Sequence, residues 1–424
     1  MIPVKEGRNI LAKEAFYTAV DIGTSKVVTV VARVGSEGEL KVLGTGIAPS
    51  QGMQKGCIEN IEEVKEAVRG SIEEAQRYVG KGYKPGAYAV VSGSHIYSTN
   101  IKDVMEHPTD LGSITSGDMH RFMQSSFPTP GEGEEVLHII PIGYSVDGLA
   151  GVRNPVGLHA NQVELEAHVT VGDAIVLKNT VNAVESNKMP VNSLVLQSLA
   201  SAEATLTADE RELGVVLVDI GSGTTDVTVF RYGSPWYSTV LPVGGSQLTR
   251  DLAVAERIPF YVAEDAKIKR GNVLPELVDD EEEVILSGGQ GQQQKLVRRS
   301  HLCEPLSARM YEILQMIVQR MSQAGLSRLP DGGIVFTGGS AEIAGLEELT
   351  EKVLGGPVRI AYPTGVSGLP TQLRKPGFSA AVGTLLWGIK HQGEGRTYRA
   401  PQGSTRGYKS LLSIFKRSRD KVAP

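Results

Sequence analysis

Two carboxylates, Asp21 and Asp219, stand in matching surroundings at distant places in the chain. Each ends an apolar run, and each opens an Asp-Ile-Gly tripeptide. Glycines and small hydroxylated residues follow: Gly23, Thr24 and Ser25 after the first, and Gly221, Ser222, Gly223, Thr224 and Thr225 after the second. A second β-branched run comes next in both. The pattern predicts a β-hairpin with a glycine-containing connection, twice over. Glycines leave backbone N–H groups uncovered, so a phosphate can lie against them. The hydroxyls add donors at the same rim, and Lys26 supplies a point charge that can follow the phosphates. A carboxylate so close to phosphate repels it unless a cation lies between. Mg²⁺ with its waters suits that role, which makes Asp21 and Asp219 candidate holders of metal-bound water. One such hairpin can be an ordinary tight turn. Two copies suggest two similar domains, each presenting one phosphate hairpin.

A third element fits them. In the stretch from Gly333 to Leu346 a strand ends at Thr337, Gly338 and Gly339 turn the chain, and Ser340 is placed to cap a following helix. Such a turn lets a flat ring and a ribose approach the backbone. In this order the three motifs resemble the actin, Hsp70 and sugar-kinase ATPase superfamily. The resemblance implies an α/β, actin-like (ribonuclease H-like) two-lobed ATPase fold. It also implies that the hairpins clamp the phosphates of ATP with Mg²⁺ while the Gly-Gly turn holds the adenosine. Gln197 matches the residue that orients the attacking water in these ATPases. An amide can orient water but cannot accept a proton as a base at pH 7, so at most slow hydrolysis is expected. A plain residue at a helix N-terminus is the alternative. Glu264 and Lys267, three apart on one helix face, match a Glu-x-x-Lys that touches the nucleoside in Hsp70-like proteins. A surface ion pair is the alternative there.

The elements that must carry these residues need more than one core. The chain has 424 residues, too many for a single ordinary domain. Hydrophobic residues at 41% and charged ones at 21% are those of a soluble globular protein. A net charge of −5 gives no general case for nucleic acid. Two cysteines, Cys57 and Cys303, make no disulfide framework, so a reducing cytoplasm is the default. The histidines lack ligand spacing, the start is too polar for a signal peptide, and no apolar run approaches a membrane span.

Residues 1–15 read as a tail. Strands follow to about Ile47, a helix spans Asn60 to Tyr78, and Tyr88 to Ser92 is a buried strand. From Lys84 to Val169 the texture changes to strand-like pieces separated by Gly- and Pro-rich material. That is the size of an inserted α+β module, with a long elaborated loop as the alternative. Helices at Asp173 to Glu185 and Leu196 to Leu206 flank a strand at Val191 to Val195. The second helix and another at Phe378 to Gly388 are rich in small residues, which lets helices pack closely. In actin-like proteins two such helices form the hinge. Residues 251–329 form a mostly helical part, with exposed loops at Asp279 to Glu283 and Gly288 to Gln294. Its long helix, His301 to Ser322, puts Leu306, Met310, Ile313, Leu314, Ile317 and Met321 on one core face.

After Lys390 apolar side chains almost disappear, which reads as a flexible linker over residues 390–407. Tyr408, Leu411, Leu412 and Phe415 then fall at helical spacing, with Lys416 and Arg417 outside the stripe. A basic amphipathic helix on a polar tether reads as an anchor for anionic membrane lipids. The alternative is a helix docked on the protein's own body or on a partner.

An actin-like core, an inserted module after the first hairpin and a terminal amphipathic helix are together similar to the bacterial cell-division protein FtsA family. Local phrases carry the likeness, notably residues 209–215 before the second hairpin and residues 153–158 in the insert. The resemblance implies subdomain 1A at 16–83 and 170–207, 1C at 84–169, 2A at 208–250 and 330–367, and 2B at 251–329. A return hinge helix at 368–389 and a membrane-binding helix at 408–424 complete the order. It further implies actin-like filaments of the protein with itself, attachment to the inner face of the cytoplasmic membrane at the septum, binding of the FtsZ C-terminal tail on 2B, and later division proteins as further partners. Arg298 and Arg299, which lead into the long helix, are candidates for that acidic tail, or an exposed basic loop. A soluble scaffold of the type-IV-pilus PilM kind and a small-molecule kinase on the same core are the other readings.

Overall fold

The computed structural model describes residues 15–391, apart from 36–38, 78, 81–82, 84–85, 107–111 and 288–293. The expected N-terminal tail, the linker, the amphipathic helix and most of the loop at 288–294 lie outside the described residues.

Both predicted hairpins form. β1 (Ala15–Ile22) pairs antiparallel with β2 (Lys26–Val34), and β3 (Leu40–Pro49) pairs on β2. A small ladder, β4 (Met53–Gln54) with β5 (Cys57–Ile58), leads to helix α1 (Ile61–Gln76). The Asn60 carboxamide caps α1 by accepting from the N–H groups of Glu62 and Glu63. Gly44 and Gly46 on β3 let the helix lie close: a Cβ at either would come within 1.9 Å of an α1 carbonyl, that of Ala75 or Ser71. β6 (Ala87–Val91) then pairs parallel with β1. The module expected from Lys84 therefore begins after β6, because that buried strand completes the first sheet.

The insert comprises β7 (Tyr97–Glu106), α2 (Ser116–Ser125), β8 (Glu134–Val146), β9 (Leu149–Val152) and β10 (Gln162–Asp173). It has its own small core of Ile114, Met119, Phe122, Val163, Leu165 and Ala167. The chain returns through α3 (Ala174–Glu185), capped by Asp173, to β11 (Val191–Leu196), which pairs on β6. The first sheet thus has the order β11-β6-β1-β2-β3.

Helix α4 (Gln197–Thr205) crosses to the second lobe, followed by α5 (Ala208–Leu213). There β12 (Val215–Ile220), β13 (Thr225–Arg231) and β14 (Ser234–Leu241) repeat the antiparallel meander of β1 to β3. Helices α6 (Gly245–Glu256) and α7 (Phe260–Arg270) come next, then a hairpin of β15 (Glu283–Leu286) and β16 (Lys295–Arg298). α8 (Arg299–Gln323) buries all six residues expected on its core face. β17 (Ile334–Thr337), α9 (Leu346–Leu354) and β18 (Val358–Ile360) close the lobe, and α10 (Ser379–Lys390) returns to the first. The order β18-β17-β12-β13-β14 matches that of the first sheet strand for strand, and β7-β10-β8-β9 of the insert extend it beyond β14. The distant repeat of Asp-Ile-Gly is therefore a repeat of topology. α4 and α10 pack through small residues: a Cβ on Gly383 would lie 1.8 Å from the Ala200 carbonyl oxygen.

Candidate functional site

Each hairpin ends in a tight connection. Gly23 N donates to Lys26 O at 3.0 Å, and Gly221 N donates to Thr224 O at 2.9 Å. The two connections face one another so closely that a Cβ on Gly223 would lie 2.4 Å from Thr24 Oγ1. Between the lobes is a cavity of about 790 Å³. Its lining holds Gly23, Thr24, Ser25 and Lys26 of the first hairpin, and Gly221, Ser222, Gly223 and Thr224 of the second. Asp21, Asp219, Gln197, Glu264, Lys267, Gly338, Gly339 and Ser340 line it too. Residues spread over some 320 positions of sequence thus meet at one place.

Two expectations are corrected. Thr225 is fully buried and donates to Val243 O at 2.8 Å, so its hydroxyl is spent inside the lobe instead of at the rim. Side chains alternate along a strand, and Thr225 faces away from its neighbour Thr224. Ser340 caps no helix. A short 3₁₀ turn follows Gly338, α9 begins only at Leu346, and Ser340 Oγ donates to Gly221 O at 3.0 Å. The Gly-Gly turn is thereby fastened to the second hairpin.

Glu264 and Lys267 do more than pair on a surface. Lys267 Nζ reaches Glu264 Oε2 at 2.8 Å, Thr249 Oγ1 at 2.9 Å and Gly245 O at 3.1 Å, and its side chain is 11% exposed. The structure separates Arg298 from Arg299. Arg298 is exposed at the end of β16, whereas Arg299 donates to Glu282 and to Arg270 O and lines the cavity.

Lys26 Nζ lies 4.1 Å from the centre of the Phe378 ring. Burial lowers its pKa, opposed by the charges of Asp21, Glu342 and Asp219. Asp21 is pushed up to about 7, chiefly by burial and then by Asp219, against the pull of Lys26. Burial also raises Asp219, opposed by hydrogen bonds from Ser201 and Gln197. A third carboxylate, Asp226, escaped the sequence reading. It sits opposite Asp219 on β13, fully buried, and accepts from Ser92 Oγ at 2.7 Å. Its Oδ1 has no partner, and burial holds its pKa well above the usual carboxylate range. The signal was present: Thr224, Asp226 and Thr228 alternate with apolar or spent positions, marking one polar strand face.

An orphaned carboxylate oxygen near the buried Asp219 and the half-buried Asp21 fits a hard cation with oxygen ligands. Among the described residues no group of three His, Cys, Asp or Glu side chains could hold a metal by itself. Waters and phosphate oxygens would have to complete the shell of Mg²⁺. A pH dependence follows. With its folded pKa raised from 3.8 to about 7, Asp21 holds a proton in the folded chain that the unfolded chain has already lost. Its contribution to stability is full below about pH 4 and is lost as the pH rises through 7. The melting temperature without metal or nucleotide should therefore fall between pH 5 and pH 8. Asp21→Asn should flatten that slope, as differential scanning calorimetry would measure.

Two lobes of one topology, each offering a phosphate-type hairpin to a shared cleft, define an actin-like ATPase fold. Solved structures agree at the level of fold. The PilM–PilN type IV pilus biogenesis complex is similar at a TM-score of 0.62 and 15% identity, covering 88% of this chain and 98% of that one. MreB5 of Spiroplasma citri, solved bound to ADP, is similar at 0.51 and 12%, covering 88% and 96%. The sequence is more specific. A family model described as cell division protein FtsA matches residues 216–383, and one described as the SHS2 domain inserted in FtsA matches 93–171. The cell division protein FtsA of Pseudomonas aeruginosa is 33% identical over 401 residues, 93% of each chain. That of Borreliella burgdorferi is 34% identical over 375 residues, covering 88% of this chain and 90% of that one. The chain belongs to the FtsA family of cell division proteins.

Proposed function

We propose that this protein binds ATP with Mg²⁺ in the interlobe cleft, polymerises into actin-like filaments, and tethers FtsZ filaments to the inner face of the cytoplasmic membrane at the division septum. The observation that carries the reading is the meeting of both hairpins, with Asp21 and Asp219, on one cavity in a chain of the FtsA family. The ADP held by MreB5, a neighbour in fold, supports nucleotide as the ligand. When bound, Mg²⁺ would neutralise phosphate charge. Asp21, Asp219 and Asp226 would hold its waters, Lys26 would bind the phosphates, and Glu264, Lys267 and Gly338 to Ser340 would surround the nucleoside. Gln197 orients water without taking its proton, which supports slow hydrolysis at most.

The division into subdomains 1A, 1C, 2A and 2B is part of this reading, with 1C contacting filament neighbours or later division proteins. The exposed Arg298 is the part of the basic pair that best fits the acidic FtsZ tail. Residues 408–424 supply the anchor. Burying Tyr408, Leu411, Leu412 and Phe415 gives roughly 1.5–3 kcal/mol per side chain as an upper bound. Each basic residue adds about 1 kcal/mol on anionic lipid. Ordering the helix opposes both, at roughly 1–2 kcal/mol per residue of backbone before its hydrogen bonds are counted. One anchor is thus weak, and a filament of linked anchors binds at high effective concentration. Among the described residues no helix is long and apolar enough to cross a membrane.

One experiment tests the whole. FtsZ should co-sediment with anionic liposomes in the presence of this protein and ATP, and removal of residues 408–424 should abolish it. Phe415→Glu should do the same while leaving ATP binding unchanged. Undiminished co-sedimentation after the truncation would sink the tethering role.

A further inference from the structure

The insert belongs to one lobe by chain but extends the sheet of the other. β6 of the first lobe leads into β7, and β10 leads out to α3 of the same lobe. Within the insert β7 pairs with β10, but its other neighbour is β14 of the second lobe, with Tyr97 opposite Thr239. Ser98 Oγ donates to Ser238 O and accepts from Ser238 N, both at 2.8 Å. Asn100 Nδ2 donates to Trp236 O at 3.0 Å, and Ser234 Oγ donates to Pro141 O at 3.0 Å.

From this seam a line of buried side chains runs toward the cleft. The bond from Asn100 Nδ2 to Trp236 O orients the amide, so Asn100 Oδ1 faces His168 Nδ1 at 2.9 Å. Oδ1 can only accept, which puts the imidazole proton on Nδ1. His168 Nε2 then accepts from Ser238 Oγ at 3.0 Å. Thr228 Oγ1 lies 3.1 Å from Ser238 Oγ and donates to Ser198 Oγ at 2.7 Å. His168, Thr228 and Ser198 are completely buried and Ser238 nearly so. Burial takes the His168 pKa down to about 4, so the ring is neutral, as its single proton requires.

Ser198 is the second residue of α4. Its neighbour Gln197 lines the cleft and hydrogen-bonds Asp219, to which Ser201 of the same helix also donates. The insert grips the start of α4 from the other side as well, since Leu196 N donates to His138 Nε2 on β8 at 3.0 Å. Ser92, just before the insert, donates to Asp226. Groups that face the phosphate hairpins are therefore one or two bonds from groups that hold the insert. Buried hydrogen-bond networks of this kind adopt discrete arrangements, because a half-made bond in a dry interior is costly.

We propose that this buried line couples occupancy of the cleft to the position of the insert, with His168 and Thr228 as positioning residues acting through the first turn of α4. The proposal rests on the nucleotide reading above and adds the route by which the site controls the insert. Nucleotide that alters the Gln197–Asp219 contact shifts α4, and Ser198 passes the shift through Thr228 and Ser238 to His168.

The test uses the full chain. Hydrogen exchange is measured over residues 97–106 and 162–171, with and without Mg²⁺ and a non-hydrolysable ATP analogue, beside a titration of the analogue. In the wild type the analogue should change exchange there about fivefold or more, the lower end of ordinary coupling. Thr228→Val keeps the volume and removes the link. It should hold analogue affinity within about threefold of wild type and reduce the insert's response below about twofold. His168→Phe should behave alike, and if it fails to fold, Thr228→Val decides alone. A merely structural role would lower the melting temperature of Thr228→Val and leave the nucleotide response in place, which overturns the proposal. So does a wild-type insert that ignores a bound analogue. If the titration shows no binding to the wild type, the nucleotide reading falls, and this inference with it.

Discussion

Gly383→Ala should destabilise the protein by about 3 kcal/mol, the upper end of what overpacking costs, or prevent folding. A methyl there would lie 1.8 Å from the Ala200 carbonyl oxygen and 2.6 Å from its carbon, and both atoms are backbone of α4. No rotamer change can relieve a clash with a helix backbone, so α4 and α10 would have to move apart. Around that crossing the buried face of α10 is tightly filled, with Ala381, Val382 and Leu385 at 0% exposed. Separation would part the lobes where these two helices cross and carry Gln197 away from Asp219. Gly70→Ala is the matched control. On α1 a Cβ at Gly70 meets only Ala48 Cβ, at 3.7 Å, so the helical preference for alanine should stabilise by up to about 1 kcal/mol. Urea denaturation of the two variants measures the contrast. Equal midpoints would contradict the account of the hinge.

Gly223→Val should weaken binding of ATP at least a hundredfold, about 2.7 kcal/mol. The sequence suggests that the new side chain would stand where phosphate approaches. The structure adds an earlier obstacle, because the Cβ alone would lie 2.4 Å from Thr24 Oγ1 and 3.1 Å from Thr24 Cβ and Cγ2. A valine therefore forces the two hairpins apart, and a phosphate clamped by one no longer reaches the other. The obstacle predicts partial rescue: Thr24→Ala combined with Gly223→Ala should bind better than Gly223→Ala with Thr24 intact. Equilibrium titration with a fluorescent ATP analogue reads both effects. Unchanged affinity in Gly223→Val would remove the hairpins from the binding site.

What could be read from the sequence was local and periodic. The strand–glycine–strand signature marked both hairpins, and six apolar residues at helical spacing marked the buried face of α8. Small residues at Ala200 and Gly383 marked helices that cross closely, although which atoms meet there needed coordinates. The failures concern partners far away in sequence. Ser340 looks like a cap because serine before a periodic run usually is one, but Gly221 O, 119 residues away, claims its hydroxyl. Thr225 reads as a rim residue until the pleat assigns it to Val243. Arg299 reads as free charge until Glu282 is folded against it. Asp226 lies in a strand rich in β-branched residues, and its role depends on Asp219 across the ladder. The start of the insert was missed because β6 earns its place in the first sheet only through β1 and β11.

The attachment of the insert to β14 has a consequence for how the chain is made. Ser98 and its partner Ser238 are 140 residues apart. At a synthesis rate of about 5–20 residues per second, β7 leaves the ribosome roughly 7–28 seconds before β14 exists. During that interval the nascent β7 offers one edge with nothing to pair with, a hazard for sticking to other chains. Its own sequence meets the hazard: Lys102, Asp103 and Glu106 place charge along the waiting strand. Charge along an open edge makes a poor template for a stray strand and costs little once β14 arrives at the other end, beside Tyr97. The same residues that look ornamental in the finished protein are then guardians of its synthesis.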